Sequence, residues 1–238
     1  MKQDKLKFLI LLVLMLSVLS SSSQTFKSKG IAYTILSDGT VGVTEGGNYS
    51  GKVVIPSQVN YYGTIFTVSC IRDDAFKDCT GLTSVVISNS VEDIEGWAFK
   101  GCTRLTSVTF GKSVKYIGVL AFDGCKRLRS IIIPNSVINV DFGAFRDCTG
   151  LTSVTFGKSV KYIGDSAFEG CTGLTSITCK AETPPSFPPA MENSYELDNY
   201  GRAFFDNYKP TLYVPAESIE EYKNAIRWSD FVKIRAIK

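Results

Sequence analysis

The chain has 238 residues, a formal net charge of +3 and no histidine. Lysines and acids are interspersed rather than blocked, so nucleic-acid binding has no electrostatic basis. Without histidine the chain lacks the commonest general base and the commonest nitrogen ligand, which excludes Ser-His-Asp catalysis, Cys-His catalysis and zinc sites.

Lys2, Lys5 and Lys7 form a basic start, Phe8 to Leu19 is apolar, and Ser20 to Ser23 supplies small residues. This pattern over residues 1–23 reads as a secretory signal peptide. The apolar run is about a dozen residues, and nothing after it reaches the ~18 that a spanning helix needs. The mature chain is therefore expected to be secreted or at the cell surface, without a transmembrane span. No cysteine follows the run at a position where a lipid could be attached. Removing the leader leaves roughly 215 residues, enough for one domain with a continuous core.

Residues 24–67 carry short β-patterned runs and are expected to form a β-rich N-terminal cap. Asp38-Gly39 predicts a hairpin turn between Tyr33-Thr34-Ile35 and Val41-Gly42-Val43, with a further strand at Val53-Val54-Ile55 before Pro56. The sequon Asn48-Tyr49-Ser50 matters only if the exporting cell attaches N-linked glycans.

From Val68 to about Ala181 the chain repeats itself. Cys79, Cys102, Cys125, Cys148 and Cys171 stand 23 residues apart, each three residues after a phenylalanine: Phe76, Phe99, Phe122, Phe145 and Phe168. The units run Val68–Ser90, Val91–Ser113, Val114–Ser136, Val137–Ser159, and Val160 to about Ala181, giving five repeats over 68–181. A fixed short period means one supersecondary unit stacked on copies of itself. In the second unit, apolar steps of three or four residues from Ile94 to Leu105 predict a helical or 3₁₀ turn, and Leu105 to Phe110 ends in the alternation of a short strand. One strand per unit, always in the same direction, pairs as a parallel sheet roughly 20 to 25 Å long.

Alternation sends leucines such as Leu105 and β-branched residues such as Val108 inward. It leaves Thr83, Ser84 and Val86, then Thr106, Ser107 and Thr109, Arg129 and Ile132, Thr152, Ser153 and Thr155, and Thr175 and Thr178 facing solvent. These thirteen residues are the candidate binding face. A flat hydroxyl-rich face suits contact with protein or glycan, and strand propensity alone would also select threonine there. Leu105–Gly118 recurs identically as Leu151–Gly164, which repeats Lys112, Lys115 and Tyr116 as Lys158, Lys161 and Tyr162. That pair could meet acidic or glycan ligands, or simply form solvated turns.

The string Ala-Phe-x-x-Cys-x-x-Leu-x-Ser-[Val/Ile] with this period resembles the BspA-type leucine-rich repeat of bacterial surface and secreted proteins. Asp78 and Asp147 stand where Gly101, Gly124 and Gly170 appear in the other units. The resemblance implies a right-handed α/β-type leucine-rich repeat solenoid, with a parallel β-sheet, short helical or 3₁₀ turns on the convex side, and a role in adhesion or recognition rather than catalysis.

Residues 182–238 are expected to close the other end. Pro184-Pro185 and Pro188-Pro189 break the repeat, and an aromatic insert with Tyr195, Tyr200, Phe204 and Phe205 follows, able either to anchor a partner or to cover the last unit. Thr211 to Val214 predicts a strand, and Ser218 to Trp228 a short helix with Ser218 and Glu221 as a capping box.

Stacked cysteines point the same way, whereas a disulfide needs its Cβ atoms to lean together, so buried free thiols are expected. Cys70 could be accessible, but no histidine can activate it. Asp73-Asp74, Glu92-Asp93 and Glu95 could in principle serve glycoside hydrolysis, although nothing sets them at a shared cleft. No catalytic, cofactor or metal residue is assigned. The expectation is an exported recognition or adhesion protein whose partner is an extracellular or host protein, or a glycan. A structural subunit of an envelope assembly is the first alternative and a glycan-acting hydrolase the second.

Overall fold

The computed structural model describes residues 24–187 and 210–238. Its strands, in chain order, are β1 (Thr25–Ser28), β2 (Ile31–Ile35), β3 (Val41–Val43), β4 (Ser50–Ile55), β5 (Gln58–Tyr61), β6 (Thr64–Ile71), β7 (Gly81–Ile87), β8 (Asp93–Ile94), β9 (Ser107–Thr109), β10 (Tyr116–Ile117), β11 (Ser130–Ile132), β12 (Asn139–Val140), β13 (Ser153–Phe156), β14 (Tyr162–Ile163), β15 (Ser176–Cys179), β16 (Thr211–Val214) and β17 (Ile234–Ala236), with one α-helix, α1 (Ile219–Asn224).

Each repeat contributes two strands, where the apolar spacing predicted one. The longer strands form the first ladder, parallel throughout: β4, β7 and β9 in one sheet, then β11, β13, β15, β16 and β17 in another. The flanking strands β4, β16 and β17 thus add rungs beyond the repeats. The second ladder runs through β3, β6, β8, β10, β12 and β14 in parallel, with the hairpin β1–β2–β3 antiparallel at its start and β5 paired to β6. Its rungs are the two-residue stretches where Ile94, Ile117, Val140 and Ile163 point inward and their predecessors outward. Two residues are too few to show a period of two in sequence, so these rungs were hidden inside a pattern with helical spacing. The predicted hairpin is present, with Ile35 opposite Val41 and Gly39 at φ 82 in its turn.

The predicted 3₁₀-type turns are present on the remaining side as single turns that never extend into a helix. Ala75, Lys77 and Cys79 donate backbone bonds three residues back, to Arg72, Asp74 and Phe76. The intervening N–H groups of Asp74, Phe76 and Asp78 donate instead to Gly96, Ala98 and Lys100 of the next unit. Two left-handed residues per unit enforce the alternation. One column is Asp74, Trp97, Leu120, Gly143 and Ser166, the other Asp78, Gly101, Gly124, Asp147 and Gly170, all at φ between 54 and 73. An α-helix cannot pass through such residues, so the turn side becomes a third hydrogen-bonded layer across units.

Phe76, Phe99, Phe122, Phe145 and Phe168 are fully buried and stack face to face at 4.9, 5.0, 5.1 and 5.2 Å between successive centroids. Burying each ring contributes about 1.5–3 kcal/mol. The leucine column Leu82, Leu105, Leu128, Leu151 and Leu174 lies beside them, at most 2% exposed.

Residues 210–238 pack over the last unit. The Tyr222 hydroxyl sits between the Ala181 carbonyl at 2.9 Å and the Cys179 sulfur at 3.2 Å, and the Trp228 indole donates to the Pro185 carbonyl at 2.7 Å. The expected capping box does not form. Pro215 opens a 3₁₀ turn over Ala216–Ser218 that leads into α1, and Ser218, itself helical at φ −96 and ψ −3, makes no side-chain cap bond. The helix ends at Asn224 because Ala225 is extended, short of the predicted Trp228.

Candidate binding surface

The first ladder brings the candidate face residues into two outward columns. One holds Ser84 opposite Ser107, and Ser130, Ser153, Ser176 and Thr211 in register. The other runs Val54, Val86 and Thr109, then Ile132, Thr155, Thr178, Tyr213 and Arg235. Thr106, Ser107, Thr109, Arg129, Ile132, Thr152 and Thr175 are exposed, and Thr83, Ser84, Val86, Ser153, Thr155 and Thr178 half-buried.

Not every hydroxyl on this face is available to a ligand. Thr106, Thr152 and Thr175 donate their hydroxyls to the backbone carbonyls of Thr83, Arg129 and Thr152 at 2.9, 2.9 and 3.1 Å, one unit back. The sequence signal for this latch was threonine recurring at one repeat position, which also satisfies strand propensity. Asn89 and Asn135 use the same device, accepting the N–H groups of Lys112 and Lys158 at 2.8 and 3.1 Å. The insert residues Tyr195, Tyr200, Phe204 and Phe205 lie outside the described residues.

On the second ladder the outward column runs Cys70, Asp93, Tyr116, Asn139 and Tyr162, with a bridge from Tyr162 to Ser186. Tyr116 and Tyr162 are each 46% exposed. Lys158, Lys161 and Tyr162 line a groove of about 660 Å³ together with Pro184 and Ser186. Lys115 is drawn away from ligand by Glu92, 2.6 Å from its ammonium.

Of the acidic residues weighed as a hydrolase pair, Asp74, Glu92 and Glu95 are held in ion pairs. Glu95 accepts the Asp73 N–H at 3.1 Å and meets Arg72 at 3.4 Å. Asp93 is raised above the usual carboxylate range, chiefly by burial and then by the charges of Glu92 and Glu95. Among the described residues no group of three or more cysteines and acids is placed to hold a metal ion.

All seven cysteines are free and buried. Cys70, considered accessible from sequence, is 6% exposed, and burial together with the Glu95 charge pushes its thiol up to about 12, so it is no nucleophile at neutral pH. It lies between Gly42 of β3 and Asp93 of β8, strands that the repeat alone did not place beside it.

The sequence pattern of BspA type leucine-rich repeat regions matches residues 69–185 in six copies. The chain belongs to the BspA-type leucine-rich repeat family. Those copies span the five cysteine-marked units and end at Pro185, just past them. A T. pallidum leucine-rich repeat protein shares 28% identity and a TM-score of 0.53 with this BspA-type chain, over 69% of this chain and 86% of that one, which supports the solenoid fold. A leucine-rich repeat protein of Bacteroides capillosus is 32% identical over 48% of this chain and 84% of that one, with a TM-score of 0.45. A leucine-rich cell surface protein of Faecalibacterium prausnitzii is 26% identical over 70% of this chain and 57% of that one, again with a TM-score of 0.45. No functionally curated protein matches the chain. The similar proteins are leucine-rich repeat proteins, a class that generally binds rather than catalyses. No helix among the described residues is long and apolar enough to cross a membrane.

Proposed function

We propose that this BspA-type protein is an exported recognition or adhesion protein that binds an extracellular protein, or a glycan, through the solvent face of the first ladder. The division into a leader (1–23), an N-terminal β-rich cap (24–67), five repeats (68–181) and a C-terminal closure (182–238) belongs to the same proposal. Ile132 carries it. Its neighbours Ile131 and Ile133 are buried, at 2% and 1%, while Ile132 is 69% exposed on a face built mostly of serine and threonine. An exposed isoleucine in a solvated strand position gives the fold no more than its strand propensity, and a partner that covers it gains its burial. The leader-like residues 1–23 support export.

The test is retention of ligands from an array of extracellular-matrix proteins and glycans by the full chain. Ile132→Lys and Thr155→Lys, with folding checked by circular dichroism, are expected to lose whatever the native chain retains. A native chain that retains nothing above the double variant overturns the reading.

A further inference from the structure

Several charges in this solenoid are neutralised one unit along. Glu92 is met by Lys115 at 2.6 Å, Glu95 by Arg72 at 3.4 Å, and Asp123 by both Lys100 at 3.4 Å and Arg146 at 3.2 Å. Four cations that lie close together in the repeats are not neutralised this way. Arg104, Lys126, Arg127 and Arg129 stand at the turns leading into β9 and β11, all exposed, and no ion pair among the described residues involves any of them. Other units hold threonine or glycine at these positions, as in Thr149, Gly150 and Thr152. Arg104 and Arg127 occupy the same position in adjacent units, whose Phe99 and Phe122 rings are 5.0 Å apart. Like charges one rung apart repel, and no acid has been placed between them as Asp123 is on the turn side.

The first ladder breaks at the same place. No strand pairing joins β9 to β11. Arg129 replaces the threonine whose hydroxyl ties the neighbouring rungs, and Val108 and Phe110 are only partly buried where Val85, Val154 and Phe156 are fully so. A cationic rim therefore borders the exposed Ile132, at a seam where the inward Val108 and Phe110 are less fully covered than their equivalents.

We propose that this seam docks an extended acidic segment of another protein, its carboxylates paired with Arg104, Arg127 and Arg129 and an aliphatic side chain laid over Ile132. The assignment rests on the reading of the first ladder as a recognition face, and names its partner class. Guanidinium forks take carboxylates bidentately. The adjoining exposed Ile132 favours a protein segment over an acidic polysaccharide, which has no aliphatic side chain to lay over it.

The test uses the full chain with poly-L-glutamate and polygalacturonate as probes, titrated at low and at high ionic strength. The variant Arg104→Gly, Arg127→Gly, Arg129→Thr installs residues that other units already carry, so it is compatible with the fold. The native chain is expected to bind poly-L-glutamate at low salt, more tightly than polygalacturonate, and the triple variant to bind it at least about tenfold more weakly. Equal binding by variant and native chain overturns the seam. Stronger binding of polygalacturonate overturns the protein segment, and no binding of either probe overturns the acidic partner, while the array above judges the recognition face separately.

Discussion

The Cys102 thiol donates to the backbone carbonyl of Phe76, in the preceding unit, across 3.1 Å. The contact recurs from Cys125 to Phe99 at 3.4 Å, Cys148 to Phe122 at 3.3 Å and Cys171 to Phe145 at 3.1 Å. Phe76 O also accepts the Cys79 N–H of its own unit at 3.1 Å, so one carbonyl ties two rungs together. The Phe-x-x-Cys spacing is thereby explained: the phenylalanine places its ring in the stack and its carbonyl under the next thiol. Alanine at 102 removes the bond and leaves a sulfur-sized void, a cost of about 1–2 kcal/mol. Urea unfolding of Cys102→Ala measures it. In the native protein a thiol reagent should modify none of the seven cysteines rapidly, and in denaturant all seven; five or fewer in denaturant would mean disulfides.

Alkali should unfold the protein through these same thiols. Burial first, then the neighbouring Cys79, pushes the Cys102 thiol up to about 12; burial first and then the Cys125 thiol raise Cys148, and the Cys148 thiol and then burial raise Cys171. An unfolded cysteine ionises near pH ~8.5. Between those values the unfolded chain has lost a proton that the folded chain keeps, so stability is fully present below pH ~8.5 and declines as pH rises toward about 12. The slope is about 1.4 kcal/mol per pH unit for each such thiol. Urea midpoints should fall steeply above about pH 9, and less steeply in Cys102→Ala. A flat profile would refute the account.

Arg227 fastens the C-terminal segment to the last repeat. Its guanidinium donates to Asp165 at 2.8 Å and lies 5.4 Å from the centre of the Phe187 ring, while the Asp165 side chain is 2% exposed and that of Arg227 29%. Arg227→Ala strands a buried carboxylate, and Asp165→Ala frees a cation that can turn to solvent. The first should therefore cost more, about 2–4 kcal/mol, and the double variant less than the sum of the singles. Additive costs in a double-mutant cycle would show the pair to be uncoupled.

The sequence made the first ladder, the cysteine and phenylalanine columns and the Asp38-Gly39 hairpin legible, because each repeats at a fixed interval or obeys a local turn rule. It hid what depends on the next unit. The rungs at Asp93 and Tyr116 are two residues long, the Thr106 hydroxyl is spent on Thr83, and the burial of Cys70 comes from its place between β3 and β8. Ser218 fitted a capping box locally, yet Pro215 set the start of the turn. Arg129 and Ile132 stood out as departures from the repeat. Arg104, Lys126 and Arg127 carried the same signal, one that gains meaning only when the ion pairs elsewhere show which charges the fold neutralises.

The alternation of Asp78, Gly101, Gly124, Asp147 and Gly170 yields a further prediction. All five are left-handed, with φ 56, 72, 73, 55 and 70. A Cβ at Gly101 would run into the Asp78 carboxylate, whereas at Gly124 the nearest atoms belong to Gly101 at 3.9 Å. Each aspartate thus leans over a glycine in the following unit. Gly101→Ala and Gly124→Ala both incur the left-handed cost of about 1 kcal/mol. Gly101→Ala should cost a further ~0.5–1 kcal/mol because the Asp78 side chain must move aside, and that excess should vanish when Asp78→Gly is present. Urea unfolding of the two alanine variants, each with and without Asp78→Gly, measures the coupling. Equal destabilisation at the two sites would mean that the carboxylate swings clear at no cost, leaving the alternation of aspartate and glycine without a packing cause.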